Sequence, residues 1–116
     1  MSETFLYLTT IGHKSGNPHD IEIWYVENQD RYYLCSGGRE KTHWVQNIRA
    51  NPNVSFSVGI RDKQEAVIPR QNATARVITA ESDKNLFHIV SQLFNGKYNW
   101  SDGTLVEIRP VEMDDE

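Results

Sequence analysis

Within eight residues the chain gathers two glycines, two histidines, a lysine and a serine: Gly12-His13-Lys14-Ser15-Gly16-Asn17-Pro18-His19. Lys14 offers a permanent positive charge and Ser15 a hydroxyl. The glycines present unobstructed N–H groups, and His13 and His19 carry charges that switch on near neutrality. Such a donor set suits a phosphate or a carboxylate. It is not the nucleotide-binding P-loop, because both the full glycine spacing and the helix that must follow are missing. The same residues also fit an ordinary hairpin-like loop with a solvated lysine, since Asn17-Pro18 favours a turn and both glycines relax the backbone.

Other residues with reactive side chains give less. His13, His19, His43 and His88 show neither a zinc-enzyme spacing nor a cysteine partner, so no metal site is expected. Cys35, the only cysteine, cannot form an internal disulfide and sits in an apolar strand pattern, as expected of a packed thiol in a reducing compartment.

The loop must be held by the elements on either side. Phe5 to Thr10 predicts one strand and Asp20 to Val26 a second, with Ile21, Ile23 and Tyr25 on one face and Glu22, Trp24 and Val26 on the other. Glu27 to Asp30 is a polar turn, and Arg31 to Cys35 returns as a third strand. After the break at Ser36-Gly37-Gly38, a short helix over Thr42 to Ala50 places Trp44 and Ile48 on one face and ends at Asn51-Pro52. Val54, Phe56, Val58 and Ile60 alternate with small or polar residues, the clearest strand of the chain. A weaker strand, Glu65 to Ile68, precedes Pro69, which implies a sheet edge or a bulge. Ala73 to Thr79 resumes the sheet. A second helix is predicted over Glu81 to Asn95, with Leu86, Ile89, Val90, Leu93 and Phe94 as its core face and Gly96 as its end. Thr104 to Val111 closes the sheet. Six or seven antiparallel strands with two inserted helices predict a mainly β fold, a barrel-like antiparallel sheet rather than a doubly wound one.

A chain of 116 residues is expected to form a single domain, residues 1–116, with one core. Its formal charge of −4 and its scattered lysines and arginines exclude the basic face of a nucleic-acid binder. Part of the acidity lies in the tail Glu112 to Glu116. No apolar run reaches the length of a membrane span and the N-terminus lacks a signal-peptide pattern, so a cytoplasmic protein is expected.

Several motifs taken in order carry a further resemblance. They are Leu8 to His19, Trp24-Tyr25-Val26, Ser36-Gly37-Gly38, Trp44 to Pro52, Ala73 to Val77 and the closing Glu107-Ile108-Arg109-Pro110. In order and spacing the chain resembles the deazaflavin-dependent nitroreductase family, within the split β-barrel flavoproteins that include enzymes like pyridoxamine phosphate oxidase. The resemblance implies a split β-barrel that binds a deazaflavin, coenzyme F420, or alternatively FMN. It puts Lys14, Ser15, Gly16 and His19 near the phosphate-bearing tail and His13 at the rim. The cofactor ring would lie along Ile21 to Ile23 and Ser36, Gly37 and Gly38. Trp44 and Asn47 would brace the loop or touch the cofactor, or else pack and cap the helix.

The implied activity is hydride transfer from a reduced cofactor to a small quinone-like or nitro-like substrate, with Ser36 and Tyr98 as candidate proton donors. Tyr98 and Trp100 would line the substrate pocket or cover the barrel mouth. The resemblance also implies a homodimer. The sequence departs from the family in having histidines where arginines are usual, at His13 and His19, and a carboxylate at Glu22 where a small residue or proline is usual. The loop at Gly37-Gly38 is also shorter and lacks a lysine often present there. These departures leave open F420, FMN or another planar ligand, and a non-catalytic carrier of such a ligand beside an enzyme.

Overall fold

The computed structural model describes residues 4–37, 42–60 and 66–111. Nine elements follow one another: β1 (Thr4–Ile11), β2 (Pro18–Ile23), β3 (Val26–Asn28), β4 (Arg31–Ser36), α1 (His43–Ala50), β5 (Asn53–Ile60), β6 (Ala66–Ile78), α2 (Lys84–Tyr98) and β7 (Thr104–Pro110). The seven strands form one antiparallel sheet in the order β2-β1-β5-β6-β7-β4-β3. The sheet curls into a half-barrel, the barrel-like antiparallel sheet that the strand patterns predict and the split barrel that the resemblance implies.

Side-chain alternation sorts the core into two clusters. Leu6 and Leu8 of β1, Phe56 and Val58 of β5, Ala73 and Ala75 of β6, Val106 and Ile108 of β7 and Leu34 of β4 point inward. There Val45 and Ile48 of α1 close over them. On the other face Tyr33, Cys35, Ile78 and Leu105 receive Val90 and Phe94 of α2. Burial pushes the Cys35 thiol above its ordinary value, as expected of a packed thiol.

Four local expectations are corrected. The second strand does not run through to Val26: it stops at Ile23, and β3 starts at the opposite edge of the sheet. The cause is tertiary. The Tyr98 hydroxyl donates to the Tyr25 carbonyl at 3.0 Å and accepts from the Tyr25 N–H at 3.3 Å, while Lys97 Nζ donates to the same carbonyl at 3.0 Å. The backbone of Tyr25 is therefore bonded to the end of α2. Next, the sheet is not interrupted around Pro69, since β6 runs unbroken from Ala66 to Ile78. Its first half pairs with β5 alone, through register shifts on either side of Val58, so the proline occupies both the edge and the bulge that tolerate it.

Gly96 does not end the second helix, which continues to Tyr98 and stops at Asn99 in the left-handed conformation (φ 57°). A glycine stops a helix only when it takes that conformation itself. Finally, Ile89 and Leu93 are exposed, because only the stripe through Leu86, Val90 and Phe94 meets the sheet. The expected turn over Arg61 to Gln64, Glu65 and the acidic tail lie outside the described residues.

A charged network fastens α2 to the sheet. Glu107 of β7, only 2% exposed, accepts from Arg76 Nε at 2.8 Å and from the Tyr33 hydroxyl at 2.9 Å, with Arg31 at 3.4 Å. Arg76 reaches on to Asp83, ahead of α2, at 2.8 Å. Burial alone would raise the Glu107 carboxyl, but the hydrogen bonds from Arg76 and Tyr33 and the charges of Arg76 and Arg31 outweigh it and hold the carboxyl below its ordinary value. Burial and the bond to Glu107 push Tyr33 up to about 12. The contribution of Glu107 to stability is therefore complete above the unfolded carboxylate value, about 4.3, and lost as pH falls through its lower folded value. That of Tyr33 is complete below about 10 and lost as pH rises toward 12. Urea midpoints measured across pH should show both flanks. Glu107→Gln should remove the acid flank and cost about 2 kcal/mol at neutrality.

Candidate functional site

The first loop is built by short-range bonds. Gly12 N–H donates to Asn17 O at 2.8 Å, Gly16 N–H to Gly12 O at 2.9 Å, and Asn17 N–H to Ser15 Oγ at 3.1 Å. Gly16 takes the left-handed turn, with φ 75°. Gly12 is needed for closeness instead, since a Cβ there would stand 2.6 Å from Ser15 Oγ and 2.8 Å from His19 Nε2. The serine hydroxyl and the His19 ring are thus drawn in over Gly12.

Asn47 of α1 anchors the loop from below. Its side chain is 3% exposed. Asn47 Oδ1 accepts from the His13 backbone N–H at 2.9 Å and lies 2.6 Å from His13 Nδ1, while its Nδ2 donates to Thr10 Oγ1 at 3.0 Å. The backbone N–H can only donate, so it fixes the orientation of the amide, which in turn assigns the proton to His13 Nδ1. Nε2 is left as the one ring nitrogen available to a ligand. The His13 ring also meets His43 edge to face, with centroids 6.2 Å apart.

Loop, β2 and α1 enclose a cleft of about 450 Å³, lined by Gly12, His13, Lys14, Ser15, His19, Asp20 and Ile21 on one side and His43, Trp44, Gln46 and Asn47 on the other. That size is within the range of small-molecule sites. Seven of the expected residues meet here: His13, Lys14, Ser15, His19, Ile21, Trp44 and Asn47. Trp44 also packs on the inner core.

The remaining expected residues lie elsewhere. Gly16 supplies the turn behind the cleft, and Ile23 packs into the inner core. Ser36 is buried at the end of β4, its hydroxyl 2.8 Å from that of Thr42, the residue before α1. Gly37 lies near Trp100 rather than in the cleft. Tyr98 binds Tyr25 as described and stacks on Trp24, with centroids 4.3 Å apart. Gly38 lies outside the described residues.

Thr10, Asp20, His43 and Gln46 were not singled out as site residues. His43, Gln46 and Asn47 stand at i, i+3 and i+4, so helical spacing from Asn47 is the pattern that would have found the first two. Among the described residues no group of three or more His, Cys, Asp or Glu is placed to hold a metal. No helix among them is long and apolar enough to cross a membrane.

The curled antiparallel sheet with its two inserted helices is a split-barrel fold. The chain belongs to the F420H(2)-dependent quinone reductase family, whose model matches residues 1–111. This membership supports an oxidoreductase. No curated protein matches the chain. Solved structures share its fold at low identity. One is the heme storage protein HutZ of Vibrio cholerae, 18% identical with a TM-score of 0.73, over 94% of this chain and 82% of that one. Another is a candidate pyridoxamine 5'-phosphate oxidase of Listeria innocua, 20% identical with a TM-score of 0.66, over 93% and 84%. A third is an FAD-binding protein of Mesorhizobium loti, 17% identical with a TM-score of 0.67, over 95% and 83%.

Replacing Asn47 with leucine keeps the volume but removes the partners of Thr10 and His13. Asn47→Leu should cost about 1–3 kcal/mol of stability in urea unfolding. It should also free the loop, which would read out as broadened His13 ring resonances in NMR spectra.

Proposed function

We propose that the cleft between the first loop and α1 holds the phosphate-bearing tail of a flavin-type cofactor, coenzyme F420 or alternatively FMN. We further propose that the protein uses the reduced cofactor to pass hydride to a small quinone-like or nitro-like substrate. The observation that carries this is the convergence of Lys14, Ser15, His13 and His19 on one cleft whose opposite wall is the α1 face of His43, Trp44 and Asn47. The donor set fits the group: an ammonium, a hydroxyl and imidazole nitrogens bind phosphate oxygens. When bound, the cofactor supplies the hydride chemistry. The chain's own part is to bind the tail through Lys14 and Ser15, to hold the His13 ring in one tautomer through Asn47, and to cover the site with Trp44.

A second function, a carrier that binds such a ligand without turnover, has one observation in its favour. The two hydroxyls expected to donate protons, Ser36 and Tyr98, do not line the cleft and are bonded to Thr42 and Tyr25. Adding reduced cofactor and a quinone separates the two: reoxidation accelerated by the protein supports the enzyme, and binding without turnover supports the carrier.

Lys14→Ala should weaken cofactor binding about tenfold to a hundredfold, the range of a lost charge-assisted hydrogen bond. An exposed loop lysine contributes little to folding, so the melting temperature of the cofactor-free protein should hardly move. Equal losses in both would make Lys14 structural. The homodimer is also proposed, supported by the half of β6 before Ala73, which pairs on one side only and exposes Val67. An open strand edge of this kind calls for cover. Sedimentation at micromolar concentration should give twice the chain mass, and a monomer with cofactor bound would remove the dimer from the proposal.

A further inference from the structure

Two groups of the cleft have their roles toward a ligand set by bonds they already make. Asn47 Oδ1 accepts the His13 backbone N–H at 2.9 Å, so it is the amide oxygen and not the nitrogen that stands 2.6 Å from His13 Nδ1. The bond from Asn47 Nδ2 to Thr10 Oγ1 at 3.0 Å fixes the same orientation from the other side. An amide oxygen has no proton to give, so the ring carries one on Nδ1. In its neutral form the imidazole then presents a lone pair at Nε2, which only accepts. No hydrogen bond from the described residues reaches Nε2, and the ring is exposed. Ser15 is set the opposite way. Its Oγ accepts from the Asn17 N–H at 3.1 Å, which leaves its own proton to donate, as Lys14 also does. The cleft therefore sets one acceptor beside two donors.

We propose that His13 Nε2 accepts a hydrogen bond from a hydroxyl of the bound tail, so that the cleft reads a polyol phosphate: Lys14 and Ser15 take the phosphate, and His13 takes an O–H of the polyol chain that carries it. This rests on the proposed cofactor site and names the part of the tail that the site recognises beside the phosphate. Donors bind any phosphate ester, whereas an acceptor is satisfied only by a ligand that brings a proton of its own. A site built to bond a hydroxyl rejects the analogue that lacks it, because its polar group is then left unpaired. His13 is thus a specificity residue, and Asn47 is the positioning residue that holds the ring proton on Nδ1.

The test compares FMN, whose phosphate ends a ribityl polyol, with the analogue in which a plain pentyl chain carries the same phosphate on the same ring. Both are titrated into the native protein and into His13→Phe at about pH 8, above the ordinary imidazole value of about 6.5. Phenylalanine keeps a planar ring and the backbone bond to Asn47, and removes the acceptor. The native protein should bind FMN about tenfold more tightly than the analogue, and His13→Phe should lose most of that preference. A merely structural loss would weaken both ligands together, so a preference unchanged in His13→Phe overturns the proposal. Nitrogen NMR spectra of the imidazole need no variant. In the native protein at the same pH His13 should carry its proton on Nδ1, with Nε2 unprotonated both in the free protein and in the FMN complex, and FMN should shift the Nε2 signal as a donor engages the lone pair. A doubly protonated ring in the complex would show Nε2 donating to the phosphate, which overturns the acceptor role and leaves the cofactor site standing. If FMN binds the native protein no better than the analogue, including the case in which neither binds, the acceptor role is likewise overturned. The cofactor site falls with it only if coenzyme F420 also fails to bind.

Discussion

The loop, β1 and α1 are held in register by one buried amide. Asn47 spends its oxygen on the backbone and ring of His13 and its nitrogen on Thr10. These bonds join α1 to the end of β1 and the loop that follows it, 37 and 34 positions earlier in the chain. A buried amide that loses its partners costs free energy, whereas one that finds them all specifies a single arrangement. Among the described residues no buried side-chain nitrogen or oxygen lacks a partner. The helix that carries Asn47 is itself seated by Val45 and Ile48 over the inner core. Apolar packing thus sets where α1 lies, and the amide sets which part of the first loop it grips.

The opposite face is organised by charge and aromatic contact. Glu107 draws together Arg31, Tyr33 and Arg76, strands that are neighbours in the sheet but far apart in the chain. Asp83, at the position where an acidic side chain commonly caps a helix, makes no such cap and bonds Arg76 instead. The start of α2 is therefore tied to the sheet by an ion pair and its end by Tyr98 to Tyr25. Because Tyr25 stands where the chain crosses from one sheet edge to the other, α2 also fixes the seam of the split barrel.

What could be read from the sequence was what is local. The alternation of Val54, Phe56, Val58 and Ile60 gave β5 because strand burial has period two, and the glycines and Asn17-Pro18 marked the first loop because turn chemistry is short-range. The break at Trp24-Tyr25 was hidden, since its cause is a hydroxyl some seventy residues away in the chain, with a separation of 73. Ile89 and Leu93 have the spacing of core residues, and only the limited width of the sheet facing α2 leaves them outside. The cleft was half legible. Lys14, Ser15 and the two histidines all fall in one short loop segment, but Asp20 lies in a strand and bonds Thr9, which accepts from Arg70 in a contact that spans 61 positions.

The histidines change what the loop can do for an anion. An arginine brings five N–H donors and a permanent charge. His13 has already committed Nδ1 to Asn47, so Nε2 is its only free nitrogen, and it donates only when the ring carries its second proton. The arrangement exchanges a bidentate grip for a ring held rigidly in one tautomer. Beside the charge of Lys14 the cleft offers directed hydrogen-bonding groups from Ser15, His13 and His19. Directed bonds recognise the shape and position of a single phosphate, while potential rewards any added negative charge.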